Sequence, residues 1–161
     1  MFELYFTDGD AYEKLNEILP KYICGTYKIA RTENGKPYIE GNPLYFSISH
    51  SRGKSVIAVD ANPVGVDMEV IEDRKYSALL SRFSPEERAE ITCLTDFLKH
   101  WVVREAYIKM SGATLAHKLD KLKYVNGVLY DGGKPADCRF YNFTDGGCII
   151  CVCIDKKCGI C

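Results

Sequence analysis

Short apolar segments separated by tight glycine turns constrain the fold of this chain more than any other sequence feature. Turns are predicted at Asn34-Gly35, Asn126-Gly127, Gly132-Gly133 and Gly146-Gly147. Such turns usually connect neighbouring antiparallel strands. The predicted strands are residues 2–6, 27–32, 36–39, 44–49, 56–60, 64–70, 122–125, 128–130, 138–143 and 148–154.

Helical signals interrupt this series of strands in two places. Helices are predicted over residues 11–19, from Ser84-Pro85, and from Asp96 through Met110. Asp8 or Asp10 is suited to cap the first helix, because a short acidic side chain accepts from free backbone N–H groups. Gly112 follows the last helix and suits a left-handed C-terminal residue. Mixed helices and antiparallel strands predict an α+β fold.

Composition excludes several classes of function. A chain of 161 residues can form one substantial core, or two small subdomains that share a core. The net charge of -1 leaves no basic face for nucleic acid. No apolar run reaches the length of a membrane span, and the N-terminus does not resemble a signal peptide. We therefore expect a cytoplasmic protein that binds neither nucleic acid nor membrane.

The cysteines allow two interpretations. Cys148-x-x-Cys151 and Cys158-x-x-Cys161 resemble two zinc-binding pairs, which would indicate a zinc-dependent interaction domain. Only six residues separate the pairs, whereas the usual zinc modules place about a dozen or more between them. The alternative is a buried strand over 148–154 with cysteine as a small apolar residue. We favour that strand, with free thiols in a reducing compartment.

Two acidic motifs predict a cation site. Asp67 and Glu69 are two residues apart in a predicted strand and therefore project from the same face. Glu105 and Lys109 share a face of a predicted helix. Magnesium typically takes one or two carboxylates and completes its coordination with phosphate oxygens and water. The alternatives are a solvated strand edge and an ordinary surface ion pair worth about 0.3–0.5 kcal/mol.

A polar loop is predicted where the strand over 44–49 ends. Its hydroxyls and imidazole would suit a phosphate-rich ligand. A nucleophilic pair of Ser49 and His50 is the competing interpretation. Adjacent residues of an extended strand point apart, so these two side chains are poorly placed to form a dyad.

Taken together, the motifs resemble a known enzyme family. Residues 65–69 and 101–109 are similar to the G-[IV]-D-x-E strand and W-x-x-K-E-[AS]-x-x-K helix of the 4'-phosphopantetheinyl transferases. Further matches are residues 35–37, 46–51 and 83–87, and Gly112. The first acidic motif begins at residue 65, which resembles the two-subdomain, surfactin-synthetase-activating type rather than the smaller trimeric synthases.

The resemblance implies an architecture of two pseudo-symmetric subdomains with antiparallel sheets and packed helices. A shortened N-terminal subdomain would span residues 1–62, and residues 63–161 would carry the acidic metal site. The active site would lie between the two subdomains. A pseudo-dimeric single chain also implies a monomer.

The resemblance further implies the reaction and its residues. The phosphopantetheine arm of coenzyme A would move to a serine of an acyl- or peptidyl-carrier protein, releasing adenosine 3',5'-bisphosphate. Asp67, Glu69 and Glu105 would hold Mg²⁺, and Glu105 would also serve as the base, directly or through a bound water. Lys109 would stabilise the transferring phosphate. The coenzyme A contacts would come from Lys36, Pro37, Ser49, His50 and Lys109.

Two features depart from the family pattern. Arg104 stands where the family usually has lysine, which keeps the charge but changes the geometry. The region before the acidic strand is also shorter than is usual for this type, and it normally supplies basic residues for the nucleotide. Lys21, Lys28 and Arg31 are the candidates to replace them. A non-catalytic carrier-protein-binding module without coenzyme A affinity is therefore the alternative function.

Overall fold

The computed structural model describes residues 1–41, 43–114 and 118–156. Three α-helices lie wholly within these described residues: α1 (Ala11–Ile18), α2 (Pro85–Glu90) and α3 (Leu94–Ser111). Eleven strands lie in this part of the chain: β1 (Glu3–Thr7), β2 (Ile29–Arg31), β3 (Pro37–Ile39), β4 (Tyr45–Ser51), β5 (Lys54–Asp60), β6 (Val64–Val70), β7 (Leu122–Val125), β8 (Val128–Asp131), β9 (Lys134–Pro135), β10 (Cys138–Asp145) and β11 (Cys148–Asp155).

Two three-stranded antiparallel sheets form the centre of the molecule. The first has the strand order β1-β5-β4 and the second has the order β10-β11-β6. Smaller antiparallel sheets, β2-β3 and β7-β8-β9, lie outside them. The boundary predicted after residue 62 falls in the connection between β5 and β6, where the chain passes from the first sheet to the second. The α+β class with antiparallel sheets is confirmed.

The two central sheets face each other across a shared apolar core. Val56 and Ala58 of β5 pack in this core with Val66 and Met68 of β6 and with Ile150 of β11. Helix α1 covers the outer face of the first sheet, and α3 covers the outer face of the second. The sheet faces alternate residue by residue, so the even-numbered residues of β6 enter the shared core. The odd-numbered residues face α3.

Gly65 allows β6 to lie unusually close to α3. A Cβ added at Gly65 would lie 2.0 Å from the carbonyl oxygen of Ala106 and 2.3 Å from the backbone nitrogen of Met110. Only glycine permits so close an approach of a strand to a helix backbone. Because Gly65 occupies the same face of β6 as Asp67 and Glu69, this contact brings the acidic strand and the helix together.

Most predicted elements are present with small shifts at their ends. Helix α1 is capped by Asp10, whose carboxylate accepts from the backbone N–H groups of Tyr12 and Glu13. Helix α2 begins with a capping box formed by Ser84 and Glu87. Gly112 ends α3 with φ of 68°. These local signals act within one helical turn, which is why the sequence predicts them well.

The prediction of a polar loop over residues 50–54 is wrong. Strand β4 continues through Ser51, and a two-residue turn at Arg52-Gly53, with φ of 52° and 78°, connects it to β5. Two consecutive positive φ angles match the right-handed twist of a hairpin. His50 therefore lies in a strand. Helix α3 also begins at Leu94, two residues before the predicted start, and strand β9 was not predicted.

The cysteine prediction is confirmed for the strand over 148–154. Cys148 enters the shared core, whereas Cys151 and Cys153 face α3. Cys148 and Cys151 therefore point to opposite faces of β11 and do not form a zinc-binding pair. Cys158 and Cys161 lie outside the described residues. No helix in the described residues has the length and apolarity needed to cross a bilayer.

Candidate active site

The strand β6 presents two carboxylates to the face that α3 covers. Asp67 is 5% exposed and Glu69 is half-buried. Each carboxylate accepts on one of its oxygens from the same two kinds of donor, a serine hydroxyl and a cationic side chain. This repeated hydrogen-bonding pattern at Asp67 and Glu69 is the central feature of the site.

Asp67 receives its two donors on Oδ1. Ser49 Oγ donates to Asp67 Oδ1 over 2.7 Å, and Lys109 Nζ donates to the same oxygen over 2.8 Å. Asp67 Oδ2 is buried and has no hydrogen-bond partner in the described residues. Burial raises the pKa of Asp67, although Lys109 and Ser49 oppose the shift. A buried carboxylate oxygen without a partner is costly, and a cation ligated by that oxygen would relieve the cost.

Glu69 repeats the arrangement two residues along the strand. Ser51 Oγ donates to Glu69 Oε2 over 2.9 Å, and Arg74 Nη2 donates to the same oxygen over 2.9 Å. The same pair of donors, a hydroxyl and a cation, therefore holds each strand carboxylate.

The serines belong to a ladder that joins the two central sheets. Ser47, Ser49 and Ser51 accept through Oγ from the backbone N–H groups of Val66, Met68 and Val70, at 3.1–3.2 Å. Strands β4 and β6 are thus connected by side chains in place of a backbone ladder. This connection satisfies backbone donors of β6 that would otherwise be buried without partners. It also fixes β6, and with it both carboxylates, relative to the first sheet.

Glu105 supplies a third carboxylate from α3. Burial raises the pKa of Glu105 to about 7, and the negative charges of Asp67 and Glu69 act in the same direction, against the opposing effect of Lys109. A carboxyl group with a pKa near neutrality can exchange a proton at physiological pH. The two acidic motifs thus form one electrostatic unit.

A cavity of about 300 Å³ lies beside this unit. Lys36, Pro37, His50 and Lys109 all line it, as do Tyr12, Asn34 and Ile48. The residues proposed to contact coenzyme A therefore come together, with the exception of Ser49. Since neighbouring strand residues point apart, His50 faces the cavity while the Ser49 hydroxyl lies beneath Asp67. The prediction that Ser49 and His50 do not form a dyad agrees with these positions.

Lys36 joins the N-terminal region to the end of α3. Its Nζ donates to the carbonyl oxygen of Met110 over 2.9 Å and to that of Val64 over 3.4 Å. Burial lowers the pKa of Lys36 to about 8. An ammonium group at a helix C-terminus satisfies free carbonyl groups. In this structure Lys36 therefore both lines the cavity and caps the helix that carries Glu105 and Lys109.

Arg104 points away from the acidic cluster and has a structural role. Its Nη2 lies 2.7 and 2.6 Å from the two carboxylate oxygens of Glu87 and donates to the carbonyl oxygen of Leu122 over 2.8 Å. Its guanidinium group lies 4.1 Å from the ring centre of Phe83. Arginine is suited to such a site, since its planar group donates in several directions and stacks on an aromatic ring. The replacement of the usual lysine by arginine at position 104 therefore affects the packing around α2.

The residues present fit a divalent cation only as an open site. In residues 1–41, 43–114 and 118–156, no three His, Cys, Asp or Glu side chains are grouped closely enough to hold a metal by themselves. Magnesium does not require such a group, because it retains water and takes substrate phosphate oxygens. The unpartnered Oδ2 of Asp67, next to two further carboxylates, agrees with a ligand position of this kind. The Mg²⁺ site at Asp67, Glu69 and Glu105 stays a prediction.

Sequence reasoning missed two residues of the site, Ser51 and Arg74. Ser51 continues the alternate-residue pattern of Ser47 and Ser49, so the repeated serine spacing was the available signal. Arg74 lies in a segment without regular secondary structure, where periodicity gives no guide to the position of a side chain.

Comparisons with known proteins extend over most of the described chain. The sequence profile of the 4'-phosphopantetheinyl transferase superfamily matches residues 63–143. A 4'-phosphopantetheinyl transferase of Bacillus subtilis is 36% identical over 124 residues, which cover 68% of this chain and 55% of that protein. The 4'-phosphopantetheinyl transferase Sfp of Bacillus subtilis (strain 168) is 29% identical over 140 residues, covering 78% of this chain and 62% of Sfp.

A third relative gives the same result. The 4'-phosphopantetheinyl transferase gsp of Aneurinibacillus migulanus is 29% identical over 126 residues, covering 69% of this chain and 53% of that protein. The chain thus aligns with little more than half of the length of each relative. The profile match includes Asp67, Glu69, Glu105 and Lys109, whereas Lys36, Pro37 and His50 of the cavity lie before it.

Proposed function

This chain belongs to the 4'-phosphopantetheinyl transferase superfamily, and on that premise we propose that it moves the phosphopantetheine arm of coenzyme A to a serine of an acyl- or peptidyl-carrier protein. Adenosine 3',5'-bisphosphate is the second product. One observation carries the proposal. Gly65 brings the Asp67-Glu69 strand against the helix bearing Glu105 and Lys109, and the cavity beside them has Lys36, His50 and Lys109 in its lining.

The transfer requires one bond to form and one to break. The hydroxyl oxygen of the carrier serine bonds to the phosphorus atom that carries the pantetheine arm. The bond from that phosphorus to the oxygen of adenosine 3',5'-bisphosphate breaks, and the leaving group departs with the electron pair. The serine proton passes to the Glu105 carboxylate, whose pKa of about 7 suits a general base. The nucleophile belongs to the partner, so this chain needs none.

The negative charge on the pyrophosphate of coenzyme A is the main obstacle to this reaction. Enzymes overcome it by positioning the two reactants and by neutralising the charge on the phosphate oxygens. Mg²⁺, held by Asp67, Glu69 and Glu105, would neutralise phosphate oxygens when bound. Lys109 lines the cavity and adds a positive charge at the same place. Lys36, Pro37 and His50 would contact the rest of coenzyme A, and Ser49 would act through Asp67.

The proposal includes the setting of the reaction. The partners are coenzyme A and a carrier protein, and the protein acts as a monomer in the cytoplasm. The free thiols among the described cysteines agree with a reducing compartment. The Arg31 side chain, which donates to Tyr12 at the cavity, is a candidate contact for the nucleotide.

Mass spectrometry of an apo carrier protein tests the proposal. Incubation with this protein, coenzyme A and Mg²⁺ should add the mass of one phosphopantetheine arm. Asp67→Asn and Glu105→Gln should each slow transfer by at least about a hundredfold, since the loss of a general base or of a charge-stabilising group has effects of this size. Glu72→Gln is the matched control, because it removes an exposed carboxylate just beyond Glu69.

Two results would contradict the proposal. Transfer at the wild-type rate by Asp67→Asn or Glu105→Gln would refute the assigned site. Tight carrier binding without detectable coenzyme A binding would instead identify the non-catalytic binding module.

A further inference from the structure

The two strand carboxylates differ in the origin of the cation that holds them. Asp67 is held by Lys109, which belongs to the signature helix. Glu69 is held by Arg74, which lies five residues further along the chain in the segment after β6. No part of the motif pattern includes Arg74, yet it occupies the position at Glu69 that Lys109 occupies at Asp67.

We propose that Arg74 is a positioning residue that orients Glu69 for the divalent cation. The inference rests on the proposed function, because it assigns a role toward the proposed metal site. Arg74 and Ser51 both donate to Oε2 of Glu69. Fixing Oε2 leaves Oε1 to be presented on the side of Asp67 and Glu105. Outer hydrogen bonds of this kind orient metal ligands in many sites.

The environment of Arg74 favours an orienting role over a loose surface pair. The Arg74 and Glu69 side chains are 30% and 19% exposed, whereas the neighbouring pair of Arg52 and Glu72 is 60% and 52% exposed. Arg74 Nε is buried and has no hydrogen-bond partner in the described residues. Arg74 Nη2 donates to Glu69 Oε2 over 2.9 Å and to the carbonyl oxygen of Val70 over 3.5 Å. Glu69 therefore supplies the shorter contact, and a half-buried ion pair of this kind is held more firmly than an exposed one.

The sign of one measurement separates this role from a simple charge effect. A fixed positive charge beside a cation site repels the cation, so removing it should tighten binding if charge alone acted. If Arg74 orients Glu69, removing it should weaken binding in spite of the lost repulsion. The two explanations therefore predict opposite changes in cation affinity when Arg74 is replaced.

The experiment titrates Mn²⁺ into the protein with saturating coenzyme A and no carrier, and follows free Mn²⁺ by electron paramagnetic resonance. Arg74→Met should weaken Mn²⁺ binding about tenfold, within the range known for residues that support metal ligands. Arg74→Lys should restore part of the affinity. The control is Arg52→Met, which removes the same charge from the neighbouring pair without touching Glu69, and it should leave Mn²⁺ affinity unchanged or slightly tighter. Circular dichroism of each variant checks that it is folded.

Unchanged or tighter Mn²⁺ binding by Arg74→Met would overturn the inference. Asp67→Asn, measured in the same way, separates this outcome from a failure of the proposed function. If Asp67→Asn weakens Mn²⁺ binding and Arg74→Met does not, only the role of Arg74 is refuted. If neither variant differs from wild type, the metal site is refuted, and the inference falls with it.

Discussion

Arg104 and Glu105 are adjacent in the sequence of α3, yet their surroundings are opposite in character. Arg104 is fully buried and pairs with Glu87, which also accepts from the backbone N–H groups of Ser84 and Tyr124. Glu105 is close to two other carboxylates and one lysine. Arg104 belongs to a buried network in which its charge is balanced by Glu87, and Glu105 belongs to a cluster with excess negative charge.

The pKa values of the two glutamates express this difference. Burial alone would raise the pKa of Glu87, but the nearby His100 side chain, hydrogen bonds from the backbone N–H groups of Tyr124 and Ser84, and the charge of Arg104 lower it to about 2. Burial and neighbouring carboxylates raise the pKa of Glu105 to about 7. The Glu87 network therefore stabilises the fold at neutral pH and loses this contribution as pH falls from about 4.5 toward about 2. Ionised Glu105 destabilises the fold.

The comparison shows how one helix serves two purposes. On its face toward α2, the charge of Arg104 is paired with Glu87 and holds α2 and β7 against the helix. Its face toward β6 brings three carboxylates near one another, and Lys109 and Arg74 balance their charge only in part. A site of this kind is typical of catalysis, because the free energy released by binding is available to orient the reactants.

The largest effect is expected from breaking the network of Arg104 and Glu87. Arg104→Met leaves Glu87 buried without its ion partner, and should lower the free energy of unfolding by about 3–5 kcal/mol. Urea denaturation at pH 7 measures this change. Arg104→Lys should lose less, because it keeps the charge but not the planar donor geometry. A loss below about 1 kcal/mol for Arg104→Met would show that the network contributes little.

Removing the charge of Glu105 should act in the opposite direction. Its pKa is raised from about 4.5 to about 7 in the folded protein, so the cost of ionisation grows as pH rises between these values. Each pKa unit corresponds to about 1.4 kcal/mol, which gives about 3 kcal/mol at most above pH 7. In metal-free buffer, Glu105→Gln should therefore stabilise the fold at pH 8 and have little effect at pH 4. Destabilisation of equal size at both pH values would remove the contrast between Glu105 and Glu87.

The third prediction concerns the contact that brings strand and helix together. Gly65→Ala places a methyl group against the backbone of Ala106 and Met110, and overpacking of this kind costs about 1–3 kcal/mol. The strand must then move away from α3, which separates Asp67 and Glu69 from Glu105. We therefore expect a large loss of transfer rate even though the protein stays folded. Gly9→Ala is the control, since its added Cβ would have only Thr7 Oγ1 nearby, at 3.4 Å. Activity near the wild-type level in Gly65→Ala would show that the close approach is not required.

Sequence reasoning located the elements better than it located the contacts between them. Strand β6 was predicted with the bounds that the structure gives, and Gly112 with its left-handed conformation, because both follow from local signals. The partner of Arg104 is Glu87, 17 residues earlier, and no periodicity connects them. The two acidic motifs raise a shared cation site as a hypothesis, and the family resemblance assigns Asp67, Glu69 and Glu105 to it, since spacing alone cannot show that a strand and a helix meet.

The extent of β4 shows the same limit at short range. The polar residues after Ser49 suggested a loop, whereas alternation places Ser51 on the ladder and His50 at the cavity. Polar side chains in a strand can lie on either face of the sheet, and the overall polarity of a segment does not show on which face each one lies. The hairpin at Arg52-Gly53 has arginine where the usual Asn-Gly or Asp-Gly signal has asparagine or aspartate, so the sequence gives no clear sign of this turn.

The serine ladder couples the geometry of the two carboxylates to the packing between the two sheets. The serines that hold Asp67 and Glu69 come from the first sheet, whereas the carboxylates themselves come from the second. Neither sheet alone can therefore orient the two carboxylates of the proposed cation site. If a cation binds there, a ligand or partner that changes the packing between the sheets should change the cation affinity, and cation binding should in turn stabilise that packing.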